Sequence, residues 1–90
     1  MGGDNKLANY IEDLWTKGFK LKDEEVQFIY FGKKFTGAPD WKVIYALKLT
    51  LQFQHTFNRS FYVSLLELLV KESIKTKREA NDLLTEKGFT

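Results

Sequence analysis

A single proline, Pro39, stands in a chain whose apolar residues otherwise recur every three or four positions. At 100° per residue that spacing collects apolar side chains on one side of a helix, whereas a half-buried strand would need strict alternation. With Gly18, Gly32, Gly37 and Gly88 as further punctuation, the chain is expected to be an all-α bundle of about five short helices. Ninety residues suit one domain, residues 1–90, near the lower end of what supports its own core. Residues 1–4 are expected to form a flexible N-terminal lead.

The first helix carries Leu7, Tyr10, Ile11, Leu14 and Trp15 on one face and stops at Gly18. A second runs from about Lys22 to Phe35, with Asp23, Glu24 and Glu25 at the positive end of its dipole. Its apolar residues fall on two sides, Phe28, Phe31 and Phe35 against Val26, Ile29 and Tyr30, which predicts a helix packed between neighbours. Gly32 either permits a close crossing there or ends the helix early.

The segment Thr36–Asp40 is the clearest break, with Pro39 suited to a first helical turn and Asp40 to a starting or capping position. The third helix should reach about Phe57. Ala46, Leu49, Phe53 and Phe57 form one stripe on it and Ile44, Leu47 and Leu51 another, which makes it central. Ser60 is the expected N-cap of an equally broad fourth helix, also central, from Phe61 to Val70. Leu47, Leu51, Phe53, Leu65 and Leu69 are the expected core residues. A last helix opens at Thr76, with Glu79 three residues on as a capping box. The connections Leu14–Lys20 and Leu69–Lys75 share an order, a helix, a small residue, one apolar plug and a new helix.

Composition removes most catalytic chemistries. There is no cysteine for a thiolate or a structural zinc site, and His55 is the sole imidazole, so one chain cannot form a two-histidine metal site. His55 falls near a helix end without a nucleophile nearby in sequence, and reads as a half-exposed histidine rather than a general base. The acids Glu12, Asp13 and Asp23–Glu25 lack the alternating ligands and sharp glycine turn of a calcium loop, and read as dipole partners. Neither enzymatic activity nor a cofactor or metal is expected. The longest apolar stretch, near Leu65–Val70, is interrupted by Glu67 and too short to span a bilayer. No basic start precedes an apolar run at the N-terminus, so a cytosolic protein is expected.

Two surface readings remain. The net charge of +2 is uneven, because Lys33, Lys34, Lys42, Lys48 and Arg59 face Asp40 alone in the middle of the chain. Those five residues are the candidate basic surface for weak, non-specific nucleic-acid binding. Only two arginines and a mixed-charge last helix argue against base-edge recognition. The fourteen aromatics are more persuasive, since so small a bundle has limited interior. Trp41 and Tyr45 fall one turn apart on the polar side of the third helix. With Trp15 and Tyr62 they are the candidate protein interface, most simply for a homodimer. The leading expectation is therefore a small helical protein-interaction module.

The strings Phe28–Thr36 (FIYFGKKFT), Ala46–Thr50 (ALKLT) and Ser60–Leu66 (SFYVSLL) resemble those of a family of small uncharacterised proteins from Gram-positive spore-forming bacteria. The likeness would cover Tyr10 to Gly88. It implies a bacterial cytosolic protein, and since the family has no assigned activity it transfers no functional residue.

Overall fold

A computed structural model describes residues 6–88; the expected N-terminal lead, residues 1–4, lies outside the described residues. Five helices follow one another: α1 (Lys6–Thr16), α2 (Asp23–Thr36), α3 (Asp40–Gln54), α4 (Arg59–Lys71) and α5 (Lys77–Glu86). No strand occurs among the described residues. α3 packs against α1, α2 and α4, and α4 also packs against α2, so the third and fourth helices are central. The breadth of their apolar arcs is the cause. On α3, Val43, Ala46, Leu47, Leu49, Thr50 and Leu51 are all buried, and on α4, Tyr62, Leu65, Leu66 and Leu69. The Thr50 hydroxyl is buried at no cost in hydrogen bonding, because it donates to the Ala46 carbonyl one turn back at 2.7 Å. α5 docks through a narrow stripe, Ala80 and Leu84.

α3 stops three residues short of the expected end. His55 takes the left-handed conformation, φ 62°, and its N–H still donates to Leu51 O. The reversed chain then folds Phe57 into the core against Phe28 and Tyr62, with ring centroids at 6.2 and 5.5 Å. Phe53 is accordingly not a core residue. It lies on the rim, 37% exposed, beside Phe61. The N-cap of α4 is Asn58 rather than Ser60: the Asn58 carbonyl Oδ1 accepts from the Phe61 N–H at 3.0 Å. An Asn two positions earlier caps at least as well as Ser, and Ser60 falls inside the first turn. Thr76 caps α5 as expected, accepting from Glu79 N–H at 3.1 Å, but the Glu79 carboxylate reaches back to Lys75 N–H rather than to Thr76.

The two similar connections do share a geometry. In both, the N–H of the third residue past the helix end bonds five residues back, Phe19 to Leu14 and Ile74 to Leu69. Gly18 and Ser73 occupy the equivalent left-handed position, φ 97° and 55°. Their plugs differ. Ile74 is buried, whereas Phe19 is exposed and Leu21 takes the buried place two residues later.

Gly32 resolves as a close crossing, and α2 continues through it. A Cβ at position 32 would stand 2.9 Å from Cε2 of Tyr62 and 3.2 Å from its hydroxyl. The Tyr62 side chain is fully buried and donates to the Ile29 carbonyl at 2.8 Å. The Tyr62 ring fills the space over residue 32, which therefore has no room for a side chain of its own. Ile29 and Gly32 are the buried residues of α2, and the expected second packed side is open: Phe31 is 58% and Phe35 67% exposed.

Two outcomes follow for stability. Gly32→Ala should lower the midpoint of denaturant unfolding, because crowding costs about 1–3 kcal/mol against roughly 1 kcal/mol of helix propensity gained. A midpoint unchanged or raised would mean that α2 and α4 are not held at contact. Burial also pushes the Tyr62 phenol above its ordinary value of 10.0. A folded-state pKa above the unfolded one stabilises the fold below the unfolded value, and that stability is lost as pH rises through the folded one. Unfolding midpoints should fall above about pH 10, and less steeply in Tyr62→Phe; burial raises Tyr10 and Tyr45 in the same direction, so part of the fall remains.

Candidate protein-interaction face

Of the four aromatics expected at an interface, the structure places Tyr62 at the centre of the core, where no partner reaches it. Trp41 and Tyr45 are half-buried and pack onto that core, and Trp15 is 48% exposed on α1. Among the described residues no ring pairing joins Trp15, Trp41 and Tyr45. Burial raises the Tyr45 phenol above its usual value, as befits a ring lodged against the core.

The exposed aromatic surface lies on α2 instead. Phe28, Phe31 and Phe35 recur at three- and four-residue spacing and so line one flank of the helix. Phe31 and Phe35 stack, with centroids 5.7 Å apart and planes at 16°, and Phe28 lies 6.0 Å from Phe31. The face is anchored at Phe28, whose ring meets Phe57 and Tyr62 edge-on and carries the Arg59 guanidinium 5.4 Å above it. An open cleft of about 360 Å³ adjoins it, lined by Phe28, Arg59, Ser60, Val63 and Ser64. A second, of about 420 Å³, lies on the other side of Ser60 and Ser64, between Gln54, Asn58 and Phe61. Neither is lined by Glu12, Asp13 or Asp23.

The ladder was present in the sequence as an apolar side of α2. The missing signal was the seating of the partner helix, because periodicity cannot say which side of α2 the Tyr62 ring covers.

The five basic residues do not share one environment. The Lys33 amine pairs with Asp40 at 3.2 Å, Arg59 lies over Phe28, and Lys34 and Lys48 are exposed. Lys42 is no surface residue. It is 8% exposed, and its Nζ donates to the Leu69 carbonyl at 3.2 Å while lying 5.8 Å from the Trp41 ring centre. Leu69 belongs to the last turn of α4, where carbonyls carry the negative end of the helix dipole, so the ammonium is both hydrogen-bonded and field-stabilised. Asp40 is equally committed. One oxygen accepts from the Leu7 N–H at 3.3 Å, satisfying the first turn of α1, while the other holds Lys33.

His55 is exposed and shares a hollow of about 190 Å³ with Glu25, Lys20 and Thr56. That volume is below the roughly 300 Å³ of ordinary ligand sites. The Glu25 carboxylate accepts from the Lys22 N–H at 2.9 Å, which occupies it at the start of α2. No group of three or more metal-ligating side chains occurs among the described residues, and no described helix is long and apolar enough to cross a membrane.

The chain belongs to a family of unknown function (DUF6123), whose model matches residues 3–90. No curated protein and no solved structure matches it. The family description assigns no activity, so the roles of these side chains rest on their geometry.

For Lys42 that geometry gives a stability role. Lys42→Met keeps the aliphatic stem and removes the charge from the end of α4, and should cost about 1–2 kcal/mol by denaturant unfolding. A cost near zero would show that the Leu69 carbonyl gains nothing from the ammonium.

Proposed function

We propose that this chain is a small non-catalytic helical module that works by binding protein, and that it binds through the Phe28–Phe31–Phe35 flank of α2. The observation that carries the reading is the pair of stacked phenylalanines, more than half exposed, on a helix whose other side is committed to the core. At 58% and 67% exposure these two rings present roughly 250 Å² of apolar surface, just below the ~300–600 Å² of the largest patch on an ordinary monomer. Their mutual stacking and the anchoring of Phe28 restrict the rings before any partner arrives, which lowers the entropy lost on binding. Trp41, Tyr45 and Tyr62 serve the core in this reading, and Trp15 stands apart from the binding face.

The basic-surface alternative has less support, because Lys42 is buried and Lys33 is paired. A cytoplasmic location in a Gram-positive spore-forming bacterium is part of the same proposal, and it sets the cell in which the test belongs. A photoreactive phenylalanine analogue at position 31 should cross-link to protein in living cells, while the same group at the exposed position of Glu67 should not. Equal labelling at both positions, or none at 31, would remove α2 as the binding face.

A further inference from the structure

We infer that the occupant of the α2 face is a second copy of this chain, its α2 lying antiparallel across a two-fold axis. The inference rests on the α2 reading above and deepens it by naming the partner. Charge carries the argument. α2 has Asp23, Glu24 and Glu25 in its first turn and Lys33 and Lys34 in its last, with the phenylalanine ladder between them. Lys33 is held by Asp40, but Asp23, Glu24 and Lys34 are exposed and pair with nothing among the described residues. At 100° per residue Asp23, Gln27 and Lys34 fall along one edge of the ladder, while Glu24 falls on the ladder itself.

A two-fold axis perpendicular to two antiparallel helices matches each edge with the same edge of the partner, running the other way. The acidic first turn of each copy then lies beside Lys34 of the other, twice over, and Phe28 of each copy meets Phe31 of the other near the axis. A parallel arrangement would instead set acid against acid and lysine against lysine. The surface is thus complementary to itself in one orientation. An unrelated partner would have to supply an apolar stripe with the same charge order reversed.

The area sets the strength. α2 has 14 residues and is about 21 Å long, so helix against helix alone buries less than the ~1,200 Å² of a stable interface. The adjoining cleft at Phe28, Arg59 and Val63 enlarges the contact towards α4. A reversible dimer in the micromolar range is expected, held by the aromatics and aligned by the charges.

The test is sedimentation equilibrium of the full chain from about 10 μM to about 1 mM, the range in which so small an interface dissociates. The wild type should show a monomer–dimer equilibrium, and Phe31→Glu should be monomeric throughout with its far-ultraviolet dichroism unchanged. Lys34→Glu should raise the dissociation constant about tenfold, since it turns two attractions into two repulsions. The triple variant Asp23→Lys, Glu24→Lys, Lys34→Glu should return it to within about threefold of wild type. A wild type that stays monomeric would overturn the second copy as occupant, and leave the face to be judged by cross-linking at position 31. A dimer lost in Phe31→Glu but indifferent to Lys34→Glu would overturn the antiparallel alignment alone. A dimer indifferent to Phe31→Glu would overturn both the inference and the α2 face.

Discussion

The hydroxyl of Tyr62 reaches the Ile29 carbonyl because residue 32 carries no side chain. That contact sets the distance between α2 and α4, and the distance decides where the aromatic residues of α2 can go. Helices separated by interleaved large side chains lie about 8–10 Å apart and cover a broad stripe of each other. Here the Tyr62 ring of α4 occupies that space over Gly32, and it leaves no room there for a phenylalanine. Phe28, Phe31 and Phe35 are displaced to the flank, where Phe28 still touches the core and the other two do not. The open aromatic face is therefore the flank of α2 that the Tyr62 contact does not cover.

A second set of constraints gathers at the start of α3. Asp40 ties the first turn of α1 and the Lys33 amine of α2 to this one point, and two residues later Lys42 reaches the end of α4. Three helix ends are thereby referred to one turn of backbone. Buried or half-buried charges survive here because each has a defined partner, in two cases a main-chain group at the end of a helix where its sign is favoured. The same economy explains why the middle of the chain looks more basic in sequence than it is at the surface.

Much of this was legible in the order of residues. Five helices, the centrality of the third and fourth, and the starts of α2 and α5 all follow from apolar spacing and capping chemistry. What spacing could not supply was the sidedness of particular residues. Tyr62 and Phe31 are both aromatics on broadly apolar helices, yet one is wholly inside and the other mostly outside. The difference comes from Gly32, thirty residues from Tyr62 in the chain. Lys42 was misplaced for a related reason. A lysine among polar neighbours reads as solvated, and its burial depends on the end of another helix being within reach of its amine. His55 ends α3 early in a conformation for which histidine is a poor signal, and so Phe53 and Phe57, on one stripe in the sequence, part, with Phe57 buried and Phe53 on the rim.

The distance between Gly32 and Tyr62 along the chain has a consequence for synthesis. Translation adds about 5–20 residues per second, so the ring that seats α2 joins the chain roughly two to six seconds after Gly32 does. Until that ring reaches α2, Ile29 and the phenylalanine ladder lack their partner helix together, a wider apolar set than the finished protein presents. The completed fold withdraws one side of it and leaves the other. The segment before docking and the native α2 thus offer different surfaces, and the phenylalanine ladder is the part common to both.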